Sequence, residues 1–386
     1  MRKFQQISVR QTTNKTKKEY NLYQKRMRKL LFLLLWTTFM VTAQTTTKKQ
    51  SIKNDDNPNV TKREVFHFDV DENDTTFYKN HFLFDRAIAG LENMLSGKEP
   101  LNFKKAVFLI ENVYYDGKLD WNDYNNEILR IKQILKNMIA KKNLQNLKTA
   151  GNWATFTYMS DSIPENNFRP YKYDYDNFLA ENDEESRMVS RLLKIKKGNC
   201  VSLPYLYKIL ANEMNVEACL ALVPMHVYIK HRDEKGDWWN LEMTSGTFSR
   251  SSFLMESFNV SEQAIKSGFI VKALSEKESI AFCISDLLNI YESKTGIYSN
   301  DFVRRCYTVG IKYFPMSLLQ SWKYGDIKYQ LDKKVSALGM TGYQQIFDTP
   351  DLEKMFYQVD STKKFIKNAG YSTLTSEQYR EKQPAF

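Results

Sequence analysis

The sequence predicts an α+β fold in which helical regions flank a short stretch of strands on both sides. Three observations predict it. Residues from about 84 to 148 and from 277 to 335 carry apolar side chains at helical spacing, and residues 217–246 between them carry the short apolar runs and alternation of strands. Gly and Pro, at 14 and 9 of 386 residues, are too scarce for a loop-rich scaffold, while 42% hydrophobic content supplies two or three modest cores at roughly 100–150 residues each.

The amino-terminal region comes first. Residues 1–30 carry ten Lys or Arg against the single Glu19, and residues 31–43 carry no charge. From Met27, "MRKLLFLLLWTTFMVTAQ" has a basic start, an apolar run and a small-residue site ending at Ala43. This is the pattern of a secretory signal peptide over residues 1–43, with residues 1–26 as an upstream extension. The run falls short of the about 20 apolar residues that span a bilayer; an uncleaved anchor is the alternative. The chain is therefore expected to be exported, to a bacterial periplasm or as a secreted protein, touching the membrane through the signal peptide alone. Residues 44–386 hold 46 basic and 44 acidic side chains, so the net charge of +11 resides in the leader and no nucleic-acid partner is expected.

Residues 44–75 are polar and aperiodic and read as a linker. The amino-terminal helical region, 76–149, shows two stripes: Phe103, Val107, Ile110 and Val113, then Tyr124, Ile128, Ile131 and Leu135. Residues 150–182 read as irregular. A helix is expected next, capped by Asn182 with Glu185 in the capping-box position, with Lys194, Lys196 and Lys197 near its carboxyl end and Gly198 as a left-handed stop. In "KKGNCVSLPYLYKILANEM", Pro204 is tolerated only in a first turn, so the following helix starts near Val201 or Ser202. Cys200 then sits at the helix amino end, where the dipole and unpaired N–H groups favour a thiolate.

Residues 217–246 read as two strands joined by the turn "DEKGD". Alternation through Met225, Val227 and Ile229 places His226, Tyr228 and Lys230 on the other face and leaves His231 at the surface. A loop centred on Lys235 pairs residues with an even-numbered sum, so Asn240 and Glu242 share a face with His226, and Glu242 falls two residues from its partner position. The carboxyl-terminal region, 276–386, resembles a tetratricopeptide-type helical hairpin closed by Pro315, and the tail after about 370 is expected to be mobile or held at the surface. Cys200, Cys219, Cys283 and Cys306 are too few for a disulfide scaffold; they are expected as buried thiols, with a Cys283–Cys306 pair left open.

A thiol nucleophile needs a lowered pKa, a base and a group that orients the base. Cys200, His226 and then Glu242 or Asn240 supply one candidate for each, although a cysteine on an apolar helix is most often a packing residue. Trp238, Trp239, Tyr205 and Tyr228 are candidates for lining a substrate cleft, although aromatics beside a strand are more often core. No metal set is expected from His67, His81, His226 and His231 without any Cys-x-x-Cys, and no cofactor is expected.

With "KKGNCVSLPYLYKILANEM", "VPMHVYIK" and "WWNLEMTSG" in this order, residues 150–275 resemble the transglutaminase-like superfamily, a papain-like core of a helix packed on a small antiparallel sheet, in its bacterial single-domain form. The resemblance implies catalytic roles for Cys200, His226 and an acidic or amide residue on the next strand, here Glu242, with Asn240 as the alternative. The superfamily most often has Asp there. It also implies an acyl-enzyme thioester that passes to water, hydrolysing an amide or peptide bond in a peptide or protein substrate, or in second place to an amine. The Cys200 backbone N–H is assigned as the oxyanion donor, and the carboxyl-terminal helices are expected to offer a surface for a protein partner. The rival reading is a non-catalytic peptide- or protein-binding module of the same fold.

Overall fold

The computed structural model describes residues 75–180, 184–268, 270–340, 343–370 and 378–380. The expected signal peptide, linker and Asn182 cap fall on positions outside the described residues. Among the described residues no helix is long and apolar enough to cross a membrane. The described residues up to Leu338 and from Pro350 onward belong to one body, and Gly339–Thr349 falls in a second unit.

The amino-terminal helices are α1 (Thr75–Ser96), α2 (Phe103–Tyr114) and α3 (Trp121–Lys141). Side chains of Asn102 and Asp120 accept the N–H groups of Lys105 and Asp123, capping α2 and α3. Both expected stripes are buried, from Phe103 to Val113 and from Tyr124 to Leu135. A fourth helix, α4 (Ala150–Ser160), occupies a stretch expected to be irregular. It is buried around most of its girth, at Ala150, Gly151, Asn152, Ala154, Thr155, Tyr158 and Met159, so its sequence has no polar side to mark the helical period.

The approach to Cys200 differs from expectation in two ways. First, a 3-10 turn at Glu184–Arg187 precedes α5 (Val189–Ile195), and the cap comes from far away: the Glu111 carboxylate on α2 accepts the N–H groups of Val189 at 2.5 Å and Ser190 at 2.8 Å. Burial pushes the Glu111 carboxyl up to about 7 against these hydrogen bonds. Second, the left-handed stop is Lys196, at φ 58°, instead of Gly198. The Lys196 ammonium donates to the carbonyls of Asn166 and Arg169, which holds that turn. Gly198 lies in β2 (Lys197–Gly198), paired in parallel with β1 (Lys172–Tyr173). Its glycine is required by contact: a Cβ there would collide with Ser202 Oγ and stand 3.0 Å from Leu192 Cδ1.

Helix α6 (Ser202–Glu213) leads into a sheet of four antiparallel strands in chain order, β3 (Cys219–Val223), β4 (His226–Arg232), β5 (Trp238–Glu242) and β6 (Thr247–Ser249). Two strands were expected. The sequence signal merges β3 with β4 because only Pro224 and Met225, the latter at φ 59°, separate them. The β4–β5 register is Ile229 with Leu241 and Lys230 with Asn240, centred on Lys235 as the loop length predicts. Both faces of β4 are covered: His226, Val227, Tyr228 and Ile229 are each at most 4% exposed.

Two short helices, α7 (Ser251–Ser257) and α8 (Glu262–Lys266), precede α9 (Glu276–Thr295), α10 (Asp301–Tyr313) and α11 (Leu319–Ala337). Ser275 and Glu278 form a capping box on α9, and Gly296 ends it at φ 68°. The second unit contributes α12 (Tyr343–Phe347), whose end is closed by the Asp348 N–H on the Gln344 carbonyl. In the main body α13 (Pro350–Asn368) follows, and its end docks on α8. Gln263 Nε2 donates to the Asn368 carbonyl and Ser267 Oγ to that of Ala369, while a Cβ on Gly370, at φ 73°, would stand 2.6 Å from the Ala264 nitrogen. Side chains from α1 through α11, the sheet and Tyr379 share one apolar core. All four cysteines are free thiols, so Cys283 and Cys306 are not paired.

Candidate functional site

The corner before α6 is held by its own polar side chains. Asn199 Oδ1 accepts the N–H groups of Val201 and Ser202, and Asn199 Nδ2 donates to the Phe178 carbonyl. Ser202 Oγ accepts the Asn199 N–H and donates to the Ser186 carbonyl. Cys200 is thereby fixed at the amino end of α6, 6% exposed, with its Sγ 3.8 Å from the Met225 carbonyl oxygen. That contact brings the start of α6 against the start of β4.

His226 is the first residue of β4 and Glu242 the last of β5. The predicted diagonal register brings them together: His226 Nε2 lies 2.5 Å from Glu242 Oε2. The second carboxylate oxygen accepts the backbone N–H of Thr244 at 3.0 Å and its Oγ1 hydroxyl at 2.8 Å. Glu242 is wholly buried with both oxygens engaged. Asn240 points elsewhere: its Nδ2 donates to the Ser249 carbonyl at 3.0 Å and to Ser251 Oγ at 2.9 Å. The orienting contact to the imidazole is therefore made by Glu242 and not by Asn240.

The electrostatics follow from this packing. Burial works against a Cys200 thiolate, but the hydrogen bond and charge of His226, and then the hydroxyl of Tyr379, outweigh it and hold the thiol below its ordinary value. Burial likewise opposes an imidazolium at His226, yet the Glu242 charge and the hydrogen bond to Cys200 lift it to about 10. Both shifts act in the sense that favours a thiolate beside an imidazolium backed by a carboxylate. Such an arrangement favours an ionised sulfur and a proton on the ring nitrogen not held by Glu242.

Four residues of this cluster escaped sequence reasoning. Phe258 stacks on the His226 ring, centroids 4.8 Å apart at 20°. The Tyr379 hydroxyl stands 3.0 Å from His226 Nδ1, and the residue is 1% exposed, which overturns the expectation of a surface tail at this position. Tyr173, on β1, is buried with its hydroxyl facing Cys200 and Tyr379. Thr244 alone had a signal, a Thr two residues past the strand's acidic end, the spacing at which a hydroxyl folds back on a preceding side chain. Tyr379 had none beyond being an aromatic in a polar tail.

The expected cleft aromatics lie elsewhere. Tyr228 is fully buried, and Tyr205 donates its hydroxyl to Asp286 at 2.7 Å in a separate cluster. Trp238 and Trp239 are exposed but pair with Arg232 and His231, five or six residues along β4 from His226, roughly 17–20 Å at about 3.3 Å per residue. Trp238 lies under the Arg232 guanidinium. His231, expected at the surface, is 7% exposed with its ring edge-on to Phe248, and burial pulls its imidazole below the ordinary value. A cleft of about 480 Å³ does adjoin the site; it is lined by Tyr171, Tyr173, Tyr175, Met243 and Thr244 among others. Among the described residues no group of three or more His, Cys, Asp or Glu side chains is placed to hold a metal ion. No protein-family model, curated protein or solved structure matches the chain.

Proposed function

We propose that the chain is an exported thiol enzyme of transglutaminase-like type that hydrolyses amide or peptide bonds. The observation that carries this reading is His226 held between Cys200 and Glu242, with the thiol drawn down and the imidazole drawn up to about 10. The Cys200 thiolate attacks the acyl carbon and the carbonyl electron pair moves to oxygen, stabilised by the Cys200 backbone N–H at the amino end of α6. The oxyanion collapses, the C–N bond breaks, and His226 gives its proton to the leaving amine, leaving a thioester. Water then attacks the thioester, His226 takes its proton and returns it to the departing sulfur, and a carboxylic acid is released. Glu242 keeps the ring oriented and its positive charge compensated throughout.

The burial of Cys200, at 6% exposure, favours a second reading: a peptide-binding module of the same fold whose reactive set is closed off. Alkylation by iodoacetamide, read by mass, separates the two. A labelling pH profile of Cys200 that lies below that of an ordinary thiol and moves up in His226→Ala supports the enzyme. A Cys200 thiol that titrates like an ordinary one sinks it. Incubation of the wild type and Cys200→Ser with a library of peptides and cell-wall fragments then identifies any bond cleaved by the first and spared by the second.

A further inference from the structure

Tyr379 enters the site as a single side chain. Its neighbours Gln378 and Arg380 are exposed while its own ring is 1% exposed, so the ring inserts from outside as a ligand side chain would. It fills a slot between Phe178 and Phe258, with ring centroids 6.0 Å and 6.3 Å away, and its hydroxyl reaches His226 Nδ1 at 3.0 Å. These contacts use the imidazole nitrogen that Glu242 leaves open and cover the thiol. The Tyr173 hydroxyl, on a residue 5% exposed, stands beside the Tyr379 hydroxyl in the slot.

We infer that the slot between Phe178 and Phe258 is an aromatic side-chain subsite for a peptide ligand bearing tyrosine or phenylalanine, and that Tyr379 occupies it in cis. This rests on the thiol-enzyme reading and names its substrate class. Aromatic rings favour such a slot because offset and tilted ring contacts add to the apolar area buried, and a tyrosine hydroxyl meets the imidazole at the far end. A short aliphatic side chain leaves the slot partly empty.

The test uses the full chain and iodoacetamide labelling of Cys200, with Cys283 in the same spectra as the control for global unfolding. Tyr379→Gly empties the slot and is expected to raise the labelling rate roughly tenfold or more, because the accessible fraction of the wild type is then about a tenth or less. Tyr379→Phe keeps the ring and is expected to stay as slow as the wild type. N-acetyl-tyrosinamide, added to Tyr379→Gly, is expected to slow labelling again, and N-acetyl-alaninamide at the same concentration is not. Equal rates in Tyr379→Gly and the wild type, equal protection by the two amides, or Tyr379→Phe labelling as fast as Tyr379→Gly each overturn the aromatic subsite. The thiol-enzyme reading is judged separately, by the pH at which Cys200 ionises in Tyr379→Gly: a lowered value retains it whatever the amides do, and an ordinary value removes both.

Discussion

Two buried cysteines of this protein sit beside a tyrosine hydroxyl and near a carboxylate, yet they are driven in opposite directions. Cys283, on α9, lies 3.7 Å from the Tyr205 hydroxyl, which donates to Asp286, and Asp286 is paired with Arg187 at 2.6 Å. Burial and then the Asp286 charge push the Cys283 thiol well above its ordinary value. At Cys200 burial acts in the same sense, but an imidazole stands between thiol and carboxylate and reverses the outcome. Asp286 acts directly against the Cys283 thiolate, whereas Glu242 acts on His226, whose charge and hydrogen bond then favour the Cys200 thiolate. Burial alone makes an inert thiol; a cation interposed in the same dry space makes a reactive one.

The comparison breaks most visibly at Glu242. Glu242→Ala leaves the imidazole without its counter-charge, and removing one partner of a buried pair costs about 3–5 kcal/mol, to be read from urea unfolding. In the same variant the Cys200 thiol is expected to rise toward the behaviour of Cys283, and a labelling pH profile unchanged from the wild type would show that Glu242 does not charge the ring.

A smaller effect lies in the pH dependence of stability. His226 has a folded value of about 10, above its unfolded 6.5, so its contribution is full below 6.5 and is lost as pH rises through 10. The lowered Cys200 works in the opposite sense, present above its ordinary 9.0 and lost as pH falls through the folded value. In the wild type the lowered Cys200 offsets part of the His226 loss below 9.0, so denaturation midpoints are expected to fall less steeply between 6.5 and 9.0 than above 9.0. Cys200→Ala removes the opposing member, and a downward slope is expected to begin above 6.5, visible in urea midpoints taken across this range.

Asp286→Asn sharpens the comparison from the other side. It removes the charge that opposes a Cys283 thiolate but leaves the burial, so the Cys283 thiol is expected to move partway down, still labelling more slowly than Cys200. The weakened contacts to Arg187 and Tyr205 cost about 1–3 kcal/mol. The smallest effect is expected from Asn240→Ala, which loses two hydrogen bonds to β6 and α7 for about 1–2 kcal/mol and leaves both the His226 titration by NMR and the Cys200 labelling rate unchanged.

What was legible in the sequence was what is local or periodic. The helical stripes of α2 and α3, the start of α6 forced by Pro204, and the β4–β5 register set by a loop centred on Lys235 all follow from spacing, and the last brings Glu242 rather than Asn240 to His226. What escaped depends on distant chain. Glu111 caps a helix 78 residues further on, Lys196 in the left-handed turn places its ammonium on the carbonyls of Asn166 and Arg169, and α4 is too buried to show a period. Tyr379 lies 153 residues from the imidazole it touches, and nothing in "SEQYR" distinguishes a surface tyrosine from one that closes a site.

Gly370 is pressed against the Ala264 backbone, and the end of α13 is moored on α8 beside it. Tyr379, which reaches His226, belongs to the same polypeptide. On the subsite reading, a peptide arriving from solution therefore competes with a resident whose occupancy does not fall on dilution.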